Sequence, residues 1–312
     1  MLNAAQLAVF DAAPQNFELM PRDTGNNAES AARDAIASGA RLLIGPVFAA
    51  EVAAVKPVVQ SSNVNMLALS TDTSLAEPGV YVLGFSPTAQ VERVVTYAAS
   101  QGIRRFAALV PGTSYGKLVL NTFKDAVQKN GGFIISVEKP ANVSALLAKR
   151  DQIEALFLPL GGEELQQTVS ALVSGGLDLK KTRLLGTGLW DEAGIGSCIE
   201  ALAGGWYAAS EPDARRYFIN NYKNTYGGEP PRLATLTYDA TALASVLAKR
   251  GGVYDRAALT NPGGFAGIDG IFRITWGGLA ERGLAVNEIT TEGSKVIDPA
   301  PSTFAGIDNR FN

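Results

Sequence analysis

The sequence predicts an α/β protein built as two doubly wound, Rossmann-like lobes. Short apolar runs alternate with segments of helical periodicity along most of the chain, the pattern of repeated βα units on a mostly parallel sheet. Most of those runs are continuously hydrophobic, as strands covered on both faces must be. Length adds a third observation: 312 residues exceed what one core conveniently serves, so two domains of about 150 residues are expected.

The elements follow in order. MLNAAQLAVFDAA reads as a helix with Leu2, Leu7, Val9 and Phe10 partly on one face. Strands are expected at Phe17 to Met20, Leu42 to Ile44, Met66 to Leu69, Phe106 to Val110, Ile134 to Val137, Leu156 to Leu158 and Leu184 to Leu185. Between them Val91, Val94, Val95 and Ala98 recur at helical spacing, as do Val119, Phe123 and Val127, and then Leu165, Val169 and Leu172. Each such helix carries an apolar stripe for a sheet. The break between lobes falls near Gly84 to Thr88, where GFSPT separates a strand from the next helix. Ser210-Glu211-Pro212-Asp213 is a loop and helix-start signal. Phe218, Tyr222 and Tyr226 form one aromatic, core-facing stripe of a helix that Gly227-Gly228 ends and Pro230-Pro231 keeps from resuming. A second helix carries Tyr238-Asp239-Ala240, and the tail from Asp298, with Pro299 and Pro301, reads as an irregular arm.

Composition excludes several chemistries. Apolar residues make up 46% and charged residues 18%, and the net charge of 27 − 30 = −3 is scattered. That argues against a nucleic-acid footprint or a polybasic membrane surface. Without any histidine, Ser-His-Asp and Cys-His catalysis and imidazole-bound zinc are excluded. Cys198 is the sole cysteine, so no internal disulfide or thiolate cluster forms, and a small buried hydrophobe is the expected role. No run of about 20 apolar residues spans a bilayer. Gly186-Thr187-Gly188 lacks the third glycine and acidic residue of a dinucleotide fingerprint. Glu163 and Glu164 suit a helix dipole better than a glycosidase pair, because adjacent helix-start residues point in different directions. Neither a cofactor nor a metal is implied.

In open α/β sheets ligands bind beyond the carboxyl ends of the strands. The loops there are Gly45-Pro46-Val47-Phe48-Ala49-Ala50, Ser70-Thr71-Asp72-Thr73-Ser74, Pro111-Gly112-Thr113-Ser114-Tyr115-Gly116, Leu160-Gly161-Gly162 and Gly186-Thr187-Gly188-Leu189-Trp190-Asp191. Free N–H groups at the helix starts that follow favour an anion such as an amino-acid carboxylate. Each candidate has a competing role. Ser70, Thr71 and Thr73 can cap a helix; Tyr115 can pack or touch ligand; Trp190 suits either a core or, our preferred placement, a cleft floor.

The aromatic helix, the Tyr238-Asp239-Ala240 helix and strands ending in Gly or Ser loops together resemble the type I periplasmic solute-binding proteins of the leucine/isoleucine/valine class. The resemblance covers nearly the whole chain. It implies lobes joined by three crossovers, near residues 87, 210 and 280. Lobe 1 is then 1–87 and 211–280, lobe 2 is 88–210 and 281–297, and 298–312 is a C-terminal tail. It also implies a strand before the first helix, so the first strand is expected to be missing, with an export signal upstream in a longer precursor. Such proteins hold a ligand α-carboxylate with hydroxyls and amides on the first lobe and its α-ammonium with an acidic group on the second. Thr73 matches the threonine and Asp191 lies near the acidic position. Ala49 replaces a serine, and the aromatic usual around Leu160 to Gly162 is absent.

Gly186 to Asp191, Leu202-Ala203-Gly204-Gly205-Trp206-Tyr207 and Gly267-Ile268-Asp269-Gly270-Ile271-Phe272-Arg273 resemble the penicillin-binding protein activators. Two functions are therefore expected. The first is a non-catalytic periplasmic protein, lipid-anchored or free, that binds an amino-acid-like or peptide-like solute in an interlobe cleft and serves a transporter permease. Its contacts are Phe48, Ala49, Ser70, Thr71, Thr73, Ser114, Tyr115, Gly161, Trp190 and Asp191. The second is an activator that regulates peptidoglycan synthesis by contacting a cell-wall synthase, with a vestigial cleft.

Overall fold

The computed structural model describes residues 1–12, 17–25, 27–191 and 199–304. The chain forms two compact units, one of Met1–Ser86, Asp213–Gly283 and Pro301–Asn312, the other of Pro87–Pro212 and Leu284–Ala300. A fourth passage, at Ala300/Pro301, adds to the three expected. Its cause is local to the first unit, where Phe304 is 3% exposed and the Arg273 guanidinium sits 4.7 Å from its ring centre. Residues 305–312 of the expected tail, and Cys198, lie outside the described residues.

The first pass through unit 1 gives α1 (Leu2–Ala12), α2 (Ala28–Ala37), β1 (Leu42–Ile44), α3 (Ala49–Ser62), β2 (Asn65–Ala68) and β3 (Val80–Val82). Unit 2 then runs α4 (Pro87–Ser100), β4 (Arg105–Leu109), α5 (Ser114–Lys129), β5 (Phe133–Glu138) and α6 (Val143–Leu147). It continues with β6 (Ala155–Phe157), α7 (Gly162–Ser174), β7 (Arg183–Gly186), α8 (Ile199–Leu202) and β8 (Trp206–Ala209). The return to unit 1 supplies α9 (Pro212–Tyr226), α10 (Ala234–Lys249), α11 (Arg256–Leu259), β9 (Phe265–Gly267), β10 (Gly270–Ile274) and β11 (Ala280–Arg282). Finally β12 (Ala285–Thr290) and β13 (Gly293–Asp298) rejoin unit 2. No described helix is long and apolar enough to cross a membrane.

In unit 2 the strand order is β13-β12-β8-β7-β6-β4-β5, parallel from β8 through β5 and antiparallel where β12 and β13 join. Alternate residues of each central strand enter opposite cores. Ala107, Leu109, Leu156 and Leu158 pack with Leu146, Leu165, Val169 and Leu172 of α6 and α7. Phe106, Ala108, Ala155 and Phe157 pack with Val91, Val94, Val119 and Phe123 of α4 and α5. The Phe123 and Phe157 rings stack at 4.9 Å. Burying each leucine, valine or phenylalanine among them contributes about 2 kcal/mol, and burial on both faces explains why these strands show no alternation.

Unit 1 repeats the scheme with parallel β1-β2-β3. Met66, Ala68, Val80 and Val82 meet Val52, Val55 and Val59 of α3, while Leu67, Leu69, Tyr81 and Leu83 meet Leu236, Ala240 and Leu243 of α10. β9, β10 and β11 form a separate antiparallel sheet.

Two expectations fail here. Phe17 to Met20 joins no strand; its residues are partly or fully exposed, and Pro21 follows with no N–H to give a ladder. α1 is a helix, but its buried face is Ala4, Ala5, Leu7 and Ala8, with Leu2 and Phe10 exposed. Small residues prevail because α1 packs against Phe218, Tyr222 and Ala234 of α9 and α10, whose aromatic rings already fill the space.

The least expected feature of unit 1 is an ionic quartet built on two buried carboxylates, with the Arg232 side chain partly exposed. Arg282 Nη1 donates to Asp239 Oδ2 at 3.2 Å, and Arg232 forks onto Asp269 at 3.0 and 3.2 Å. The Ile268 N–H also donates to Asp239, at 2.7 Å. Burial pushes the Asp239 carboxyl from 3.8 up to about 6, with Arg282 opposing and the Asp269 charge adding. For Asp269 burial is outweighed by Arg232 and Arg282, so it stays below its usual range. Between pH 3.8 and about 6 folded Asp239 thus holds a proton that the unfolded residue releases, whereas above that range it is the ionised partner of Arg282; the stability contributed by the proton is fully present below 3.8 and lost as pH rises through about 6. Chemical denaturation should show the wild type gaining on Asp239→Asn as pH falls from 7 toward about 4. A wild-type-to-variant difference independent of pH would contradict this account.

Candidate functional site

Each unit carries polar loops at the carboxyl ends of adjacent parallel strands. In unit 1 the loop after β1 enters α3 through Phe48, which is 69% exposed and gives the helix no side-chain cap. The first N–H groups of α3, from Ala49 onward, therefore have neither helical nor side-chain partners of the capping type. After β2, Ser70 is 4% exposed and its Oγ accepts the Asp72 N–H at 3.1 Å. Asp72 caps the single 3-10 turn Thr73–Leu75, its Oδ1 accepting from the Ser74 N–H at 3.0 Å and the Ser74 hydroxyl at 2.6 Å. Capping thus falls to Asp72, not to Ser70, Thr71 or Thr73. Ser70 is committed to its own turn, while Thr71 is exposed and Thr73 half-buried.

The Ser70 turn is held from below. A Cβ on Gly84 would lie 1.9 Å from the Ser70 carbonyl oxygen, so only glycine lets the chain after β3 pass this close.

In unit 2 the strand order reverses between β4 and β6, with β5 on one side and β7 on the other. Open sheets bind ligands at such a switch point. The loops after β4, β6 and β7 bring Ser114 and Tyr115, Gly161, and Asp191 to three adjacent strand ends. Thr113, one residue before Ser114, caps α5 by accepting the Gly116 N–H at 3.1 Å, which leaves the exposed Ser114 without that task. Gly161 precedes α7 without a side-chain cap, and Glu163 and Glu164 occupy its first turn. The Tyr115 hydroxyl lies 3.1 Å from Thr187 Oγ1, tying the β4 loop to the end of β7. Burial pushes the phenol up, with that bond opposing. Asp191 Oδ1 is 3.4 Å from the Tyr207 hydroxyl, which is also 2.7 Å from Ser294 Oγ.

Trp190 corrects the expected cleft floor. It is 0% exposed in the core of unit 2, and its ring covers Gly186, where a Cβ would lie 2.2 Å away. The Gly186-Thr187-Gly188 motif is thereby explained residue by residue. Gly186 seats Trp190, Thr187 holds Tyr115, and the Gly188 N–H donates to Gln90 Oε1 at 2.9 Å. Gln90 escaped notice because it reads as an ordinary polar residue of a helix, and only the fold brings it to the Gly188 N–H; Thr187 was visible in the loop, but its bond to Tyr115 was not.

Gly186→Ala should cost about 1 to 3 kcal/mol, since the Trp190 ring must move out of a packed core. Urea denaturation measures it, and a change below about 0.5 kcal/mol would show that Trp190 is not seated as described.

A sequence profile described as periplasmic binding protein matches residues 1–278. No curated protein matches the chain. Solved structures similar in fold include a branched-chain amino acid ABC transporter periplasmic ligand-binding protein from Burkholderia xenovorans, with TM-score 0.79, 18% identity, and coverage of 96% of this chain and 90% of that one. An ABC transporter substrate-binding protein from Desulfitobacterium hafniense in complex with Leu has TM-score 0.73, 18% identity and 95% coverage of both chains. A solute-binding protein of an ABC transporter from Rhodopseudomonas palustris, in complex with 3,4-dihydroxybenzoic acid, has TM-score 0.70, 20% identity and coverage of 97% and 91%.

Proposed function

The chain belongs to the periplasmic binding protein family, and from that premise we propose that it is a non-catalytic, periplasmic solute-binding component of an ABC transporter whose ligand is a small carboxylate. The observation that carries the ligand class is the uncapped helix start at Phe48 before α3, on a strand-end loop of unit 1; the start of α7 at Gly161 is uncapped as well, with Glu163 and Glu164 of its first turn already countering the dipole there. Backbone N–H groups and the helix dipole at such ends favour an anion. Leucine and 3,4-dihydroxybenzoic acid, bound by two similar proteins, share a carboxylate.

Within this reading Thr73 donates its hydroxyl to the carboxylate, and Asp191 pairs with an α-ammonium when the ligand is an amino acid. Phe48, Ala49, Thr71, Ser114, Tyr115 and Gly161 complete the set, with Ser70 and Trp190 acting as supports beneath it. A transporter permease is the partner that fits the class. A cell-wall synthase gains no support, since none of the three relatives described above is an activator.

Thermal melts with a panel of amino acids and aromatic carboxylic acids test this, because a ligand at 100 times its Kd adds about 2.7 kcal/mol to folding. Thr73→Ala should weaken binding by about 1 to 3 kcal/mol for every ligand of the panel that binds. Asp191→Ala should weaken amino acids more than that and leave 3,4-dihydroxybenzoate nearly unchanged, since only the former strand a cation. If no panel member shifts the wild-type melt, the reading fails.

A further inference from the structure

The ionic quartet stands where unit 1 hands the chain onward. Leu83 to Ser86 are its last residues before the first passage, and Arg282 and Gly283 are its last before the third. The Arg282 side chain, 4% exposed, reaches back from β11 to both Asp239 and the Leu83 carbonyl, at 3.2 and 3.4 Å. The Phe85 ring lies against two guanidiniums, with Arg232 4.1 Å and Arg282 5.3 Å from its centre. Between Leu83 and Phe85 is Gly84, whose backbone lies against the Ser70 carbonyl. A continuous path of contacts therefore runs from Asp239 through Arg282 to Leu83 and Phe85, and from Gly84 to the Ser70–Thr73 loop.

We infer that Arg282 and Arg232, anchored by Asp239 and Asp269, are positioning residues that fix the Ser70–Thr73 loop through the Leu83–Phe85 strand end. A buried ion pair is weak evidence for stability, because desolvation of two charges offsets most of their attraction. What such a pair supplies here is geometry. Arg232 meets Asp269 as a two-pronged fork, a match that lysine cannot reproduce. Arg282 divides its donors between a carboxylate and the Leu83 carbonyl, which ties the end of β11 to the chain just beyond β3. Phe85 held against both cations adds a cation–π contact that only this placement of the ring permits. Close packing of Gly84 on Ser70 then leaves the loop no slack, since interiors transmit displacement instead of absorbing it.

The loop's role as a ligand-contacting surface rests on the solute-binding reading, whereas its fixation by the quartet does not. Hydrogen–deuterium exchange on the full chain without ligand separates the two. Arg282→Lys keeps the charge and loses the second reach, so amides within 69–75 and 83–86 should exchange at least about tenfold faster while β4 to β8 stay within about twofold. Should that variant not fold, Phe85→Leu keeps the apolar bulk, removes the ring from the two guanidiniums, and should speed the same segments. Unchanged exchange there, or an equal rise across all of unit 1, would overturn the inference. Neither result bears on whether leucine or 3,4-dihydroxybenzoate binds the wild type, and a failure of those ligands would leave the exchange result standing.

Discussion

Parallel strands buried on both faces are the constraint from which the rest of this structure follows. Each central strand of unit 2 sends Phe106, Ala108 and Phe157 to one helical layer and Ala107, Leu109 and Leu156 to the other. With both faces given to packing, the sheet has no side left for polar chemistry. Such groups are pushed to the strand ends, where each chain must leave the sheet and start a helix whose first N–H groups lack partners. Phe48 and Gly161 precede uncapped helix starts of this kind, while Thr73, Tyr115 and Asp191 lie in the turns that follow β2, β4 and β7. The candidate half-sites are thus a consequence of how the cores are built.

Close approach at glycine sets the fine geometry of those ends. Gly84 admits the Ser70 carbonyl and Gly186 admits the Trp190 ring, each at a distance no Cβ tolerates. In both cases a residue beneath the surface decides where a polar loop above it sits. Trp190 illustrates the difference between contact and support: it fixes the turn that carries Asp191 while offering no surface of its own.

Much of the architecture was legible in the sequence because continuous apolar runs and helical stripes are strong local signals. Leu42 to Ile44 is a strand with the bounds the sequence suggests, and the stripes of α4, α5 and α7 bury the residues expected. Of the later strands, β8 is a continuous apolar run too short to stand out, and β9 to β13 carried no such signal. Strands such as Ala285–Thr290 and Gly293–Asp298 pair antiparallel and mix polar with apolar residues, so neither rule for strands singles them out. Phe17 to Met20 shows the opposite failure, a mostly apolar segment, interrupted by Glu18, with no strand partner. In the loops the residue types were legible and the division of labour was not. Asp72 and Thr113, not their neighbours, take the capping bonds, and that depends on backbone angles a sequence does not display. Asp239 reads as one polar residue in a helix, and its partners Arg282 and the Ile268 N–H are distant in sequence.

The central claim is that this chain captures a small carboxylate. Native mass spectrometry of the full chain, equilibrated with an equimolar mixture of amino acids and aromatic carboxylic acids and sprayed from near-neutral volatile buffer, tests it most directly. The account predicts one adduct at one ligand per chain, whose mass identifies a carboxylate from the mixture and which Thr73→Ala diminishes. A spectrum in which the folded wild-type chain carries no member of the mixture would contradict it.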